Sequence, residues 1–188
     1  MDWLYSIVRI AGASFPVASS LVQLQSEIDS KALNERVTNL EDPVSNIHMD
    51  VPELARIIYR ELKNKDGINL SFEEEFFKKY VRPLAMMESH GYIEGKGTIN
   101  SIYNSRIILT DPSFVMYLCA LEEDISTMES LIDTVDKCPV GSHLKSNELK
   151  EKYKLPTPVI SAVFEIFESK GYGICSKGLG GSAYIGRA

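Results

Sequence analysis

SNELKEKYKLPTPVISAVFEIFESKGYGICSKGLGGSAYIGR, residues 146–187, is the stretch whose reading decides the fold. Ser146 precedes a short helix, Asn147 to Tyr153, and Leu155-Pro156 makes a tight connection. Thr157 suits a helix cap and Pro158 a first helical position. Ile160, Val163, Phe164 and Phe167 then fall on one face at helical spacing, which predicts burial of that face. Gly171 ends the helix. Tyr172 to Arg187 reads as two short strands around a glycine-rich tip, Gly178, Gly180 and Gly181.

Upstream, Asp111-Pro112 starts a helix carrying Phe114, Val115, Tyr117, Leu118 and Leu121. Ser126 and Glu129 have capping-box spacing ahead of a helix with Met128, Leu131, Ile132 and Val135. Further back, Asp50, Pro52 and Glu53 are expected to open a helix whose apolar face is Leu54, Ile57, Ile58 and Leu62, with Gly67 at its end. Ser71 and Glu74 again have capping-box spacing, before Phe72, Phe76, Phe77 and Tyr80, and Pro83 breaks or restarts that run. After Gly91 the pattern changes to a β-hairpin, with Gly95 and Gly97 leading into its tip and Arg106–Thr110 as its second strand. An internal echo links the two halves: Met87-Glu88-Ser89-His90-Gly91-Tyr92 matches Phe167-Glu168-Ser169-Lys170-Gly171-Tyr172 at a constant offset. Each copy ends a helix and starts a hairpin.

Two helices, a short turn and a hairpin resemble the winged helix-turn-helix superfamily over residues 146–187, reaching back to Met128–Asp136 for the first helix. The echo extends the resemblance to residues 50–112. The fold class expected is mainly α with small β-wings, as tandem winged-helix-like modules behind an N-terminal helical, coiled-coil-like segment. The expected division is 1–49, a helical assembly segment; 50–112, a winged-helix-like module; and 113–188, a helical connector with the C-terminal winged helix.

In that N-terminal segment Leu21, Leu24 and Ile28, then Leu33, Val37 and Leu40, keep steps of three and four with one seam shift between them. They are candidate oligomerisation residues, with packing against the rest of the chain as the alternative. This helix is expected to stop near Asp42, ahead of Pro43. Residues 3–24 hold one charge, Arg9, but Ser6, Ser14, Ser19, Ser20, Gly12 and Pro16 dilute them. A helix buried against the protein or a second copy is favoured over membrane contact.

The net charge of −6 is unevenly spread: −3 over 1–49, −1 over 50–112, −5 over 113–138 and +3 over 139–188. The three cysteines, Cys119, Cys138 and Cys175, are far apart and fit a reducing, cytoplasmic setting. No catalytic constellation, metal set or cofactor is indicated: His48, His90 and His143 stand alone, and Gly178-Leu179-Gly180-Gly181 lacks the strand-then-helix context of a phosphate loop.

The winged-helix resemblance implies DNA binding, with Thr157–Lys170 as the helix entering the major groove. Thr157 and Ser161 would face base edges; Lys145, Lys150, Lys152, Lys154, Lys177 and Arg187 would neutralise phosphates. Glu165 and Glu168 on the same helix would repel them. The alternative is a non-enzymatic adaptor whose winged helices dock partner proteins, with the N-terminal segment attaching it to itself, a larger complex or a membrane face. The acidic total and the acidic stretch 113–138 favour that version.

Overall fold

The computed structural model describes residues 43–97, 104–178 and 181–186. Among them are seven helices and two three-stranded antiparallel sheets, so the chain mixes α and β with a helical majority. The N-terminal series from Leu21 to Leu40 lies outside the described residues.

The elements repeat. The first unit is α1 (Pro43–Lys65), β1 (Asn69–Ser71), α2 (Glu74–Lys79), α3 (Val81–Ser89), β2 (Ile93–Gly97) and β3 (Asn104–Leu109). Helix α4 (Pro112–Ala120) follows. The second unit is α5 (Ile125–Asp136), β4 (His143–Lys145), α6 (Ser146–Tyr153), α7 (Thr157–Ser169), β5 (Gly173–Gly178) and β6 (Gly181–Gly186). The sheet orders are β1-β3-β2 and β4-β6-β5, so the last strand of each unit lies in the middle.

The echo seen in sequence recurs in the hydrogen bonds. Gly91 and Gly171 both have positive φ, 74° and 81°, where a side chain would be strained. Tyr92 N–H donates to Met87 O at 3.0 Å, and Tyr172 N–H to Phe167 O at 3.1 Å. Glu88 Oε1 accepts from Gly95 N–H at 3.0 Å, and Glu168 Oε1 accepts from Cys175 N–H at 2.9 Å. Each glutamate therefore staples the end of a helix to the first strand of the following hairpin. For Glu168 this replaces the expected role of a solvent-facing charge.

Helix α4 carries Phe114, Val115, Met116, Tyr117, Leu118, Cys119 and Ala120 in succession, and all seven are buried. A helix apolar on every side must be enclosed. It packs on α1 and β3 of the first unit and, most extensively, on α7 of the second. Its start is the expected one: the Asp111 carboxylate accepts from Phe114 N–H at 2.6 Å. The surrounding core runs continuously from Leu54 to Tyr184.

Several expected boundaries move. α1 is one helix across Asp50 and Pro52, because Pro43 stands at its start, where a missing N–H costs nothing. The buried face Leu54, Ala55, Ile58, Tyr59 and Leu62 then anchors its second half. Ser71 ends β1 and does not cap α2, whose N-cap is Glu73 without a side-chain bond. Asp124, not Ser126, caps α5, accepting from Ser126 N–H at 3.2 Å. Pro156 occupies the N-cap of α7, leaving Thr157 inside the helix.

Two tyrosines at the α1–α4 contact make opposite predictions. Tyr59 O–H donates to Glu123 Oε1 at 3.0 Å and also reaches Cys119 Sγ at 3.6 Å. The Tyr117 hydroxyl is buried with no hydrogen-bond partner among the described residues, and burial pushes its pKa up to about 12. Tyr59→Phe should cost about 1 kcal/mol, whereas Tyr117→Phe should be neutral or stabilising in urea unfolding, since it removes only an unsatisfied group. Leu118→Ala, at the centre of α4, should cost about 2–5 kcal/mol in the same measurement.

Candidate functional site

The helix expected to read DNA is enclosed. Eight of the thirteen residues of α7 are buried. One side lies on its own sheet and the other on α4, because the apolar sequence of both helices demands cover. The half-buried positions Thr157, Ser161 and Glu165 line a cleft between the two units.

Asp66 closes one end of that cleft. It follows the last residue of α1 and has φ 51°, a left-handed position that aspartate tolerates better than most residues. Its carboxylate crosses to the second unit. Thr157 N–H donates to Oδ1 at 2.7 Å, Thr157 Oγ1–H to Oδ2 at 2.9 Å, and Lys150 Nζ to Oδ2 at 2.6 Å. So Asp66 supplies, from the other unit, the cap that the proline before α7 cannot. Burial acts to raise its pKa, but the bonds from Lys150 and Thr157 outweigh this and hold the carboxyl below the ordinary range. The same contact raises the Lys150 pKa.

The cleft has a volume of about 450 Å³. Ile68, Ile108, Pro112, Val115, Pro158 and Ala162 give it apolar walls. At its second-unit side the Ser161 and Ser182 hydroxyls are 2.5 Å apart, and Lys177 Nζ lies 2.9 Å from Glu165 Oε1. The hydroxyl groups proposed to meet base edges are thus engaged inside the molecule, Thr157 with Asp66 and Ser161 with Ser182.

The other candidate cations are divided. Lys150 is tied to Asp66 and Lys177 to Glu165. Lys145, Lys152 and Lys154 stay on the exterior around α6. Lys145 is 3.4 Å from Glu148 and Lys154 3.3 Å from Glu151, while Lys152 sits over the Tyr153 ring at 4.7 Å. Arg187 lies outside the described residues. The acidic stretch is also partly matched within the chain: Glu122 meets Arg56 at 3.1 Å and Arg60 at 3.5 Å, and Glu123 meets Lys63 at 2.5 Å. The basic face of α1 therefore offsets two carboxylates that sequence alone leaves facing outward.

Asp66 was not legible as a site residue. Asp66-Gly67 after a helix signals a chain reversal, but nothing local points to a partner 91 residues away.

Among the described residues no group of three or more His, Cys, Asp or Glu could hold a metal, and no helix is long and apolar enough to cross a membrane. No family model, curated protein or solved structure matches the chain.

Asp66→Asn keeps the left-handed preference and removes the charge. Solvent screening limits the expected loss to about 1 kcal/mol in denaturant unfolding near neutral pH. Because the folded carboxyl ionises at lower pH than the unfolded one, its contribution is complete above the ordinary carboxylate range. It disappears as pH falls through the folded value. The difference between wild type and Asp66→Asn should therefore shrink on acidification below that range; an unchanged difference would remove the role given to Asp66.

Proposed function

We propose that the chain is a non-enzymatic protein-interaction adaptor built from two winged-helix units joined through α4. The winged-helix assignment is supported by the repeated element order, the matching sheet orders and the paired glutamate staples. The observation that carries the adaptor reading is the orientation of α7. Its outer face is turned onto the first unit, so a groove-reading role would require breaking the Asp66 bonds and uncovering α4.

The corresponding helix of the first unit, α3, keeps an outer face that no other described element covers. On α3, Val81, Arg82, Ala85 and Glu88 are exposed, Val81 at 48%. Around this helix acids and bases alternate: Lys78 pairs with Glu74 at 2.7 Å and Lys79 with Glu53 at 3.1 Å. A mixed surface of this kind suits a protein partner better than a phosphate backbone, which favours an excess of cations.

DNA binding is the competing reading, and the exterior lysines on and beside α6 are what favour it. A labelled random duplex titrated with the full chain across a salt series separates the two. The adaptor reading expects no salt-steep binding, and no change when the exterior Lys145, Lys152 and Lys154 are replaced by glutamate. Tight binding that salt weakens steeply and that the triple replacement abolishes would overturn it. In parallel, a protein partner held by the full chain should be released by Val81→Asp with Arg82→Glu at unchanged far-UV circular dichroism.

A further inference from the structure

The cleft between the units combines two features that single out an occupant. Its wall includes Ile68, a large apolar residue left 44% exposed, beside Pro112, Val115 and Pro158. Its rim carries three carboxylates, Asp66, Asp111 and Glu165; Lys150 pairs with the first and Lys177 with the last, which leaves one net negative charge, at Asp111. An occupant that suits both is an apolar segment with a single cation.

The chain contains such a segment. Trp3 to Leu24 is mainly apolar, diluted by four serines and Gln23, and its one charge is Arg9. We propose that part of this segment seats in the cleft of its own chain, with apolar side chains against the Ile68 wall and Arg9 towards the carboxylate rim. The inference is independent of whether the partner of the molecule is protein or DNA.

Reach and concentration both favour the segment of the same chain. Helix α1 begins at Pro43 and ends beside Asp66, a span of roughly 35 Å at 1.5 Å per residue. The tether between Arg9 and α1, residues 10–42, reaches about 50 Å at 1.5 Å per residue even as a helix, enough to return along it. A tethered segment meets its site at an effective concentration on the order of millimolar, well above that of a second copy in dilute solution. The cleft, at about 450 Å³, takes a few side chains and not a whole helix.

Trp3 is the only tryptophan in the chain, so its emission reports on this segment directly. Selective excitation of the full chain should give a blue-shifted maximum, independent of protein concentration and protected from acrylamide. Ile68→Asp should move that maximum to the red and raise quenching. Arg9→Glu should do the same at unchanged far-UV circular dichroism. Val140→Asp, at a position 67% exposed and away from the cleft, should change nothing. Three results would overturn the proposal: emission of a solvated indole in the native chain, a blue shift insensitive to both Ile68→Asp and Arg9→Glu, or a blue shift lost on dilution. The last would assign the segment to a second copy.

Discussion

Helix α4 has no polar side, and most of the architecture follows from that. Each fully buried Val, Leu, Phe or Met is worth about 1.5–3 kcal/mol, so the series from Phe114 to Ala120 outweighs any single polar contact between the units. To cover it, α1 and β3 approach from one unit and α7 from the other. That approach leaves Thr157, Ser161 and Glu165 facing the first unit and leaves a cleft where the two surfaces do not meet. The bonds to Asp66 contribute less energy but fix the angle, since three donors must converge on one carboxylate. The shared helix also distinguishes this chain from linear repeat proteins, whose units contact one another through separable interfaces.

Much of the local structure was legible in the sequence. Residues 146–187 gave the order of α6, α7, β5 and β6 because each boundary carries its own chemistry: a proline at the start of α7, a glycine at its end and glycines at the hairpin tip. The Glu88 and Glu168 echo likewise corresponded to matching hydrogen bonds. By contrast β1 and β4 were missed, since three residues are too few to show a period of two. The continuous α1 was divided because Asp50 and Pro52 look like a start signal, whereas the helix begins at Pro43 and runs through both.

The candidate site was legible in residue type more than in orientation. Lys150 and Thr157, expected to face nucleic acid, meet Asp66 of the first unit instead. Helical spacing identifies which side of α7 is apolar; it does not reveal that the opposite side is covered as well. The run Phe114–Ala120 held that information, because apolar residues at consecutive positions, unlike those spaced by three and four, require neighbours all around. Charge counting had a similar blind spot: Glu122 and Glu123 contribute to an acidic stretch in sequence and to ion pairs with α1 in space.

The staples from Glu88 and Glu168 have a consequence for the hairpins. Each fixes the base of a hairpin to the helix before it, so the direction of the two strands is set before the chain reaches the tip. Six residues separate Gly97 from Asn104 in the first hairpin and two separate Gly178 from Gly181 in the second, while the bases match in their hydrogen bonding. Lengthening a closed loop adds entropy cost only slowly. The tips are therefore the places where this chain can accept inserted sequence, whether by divergence or by engineering, without disturbing the helices that hold the units together.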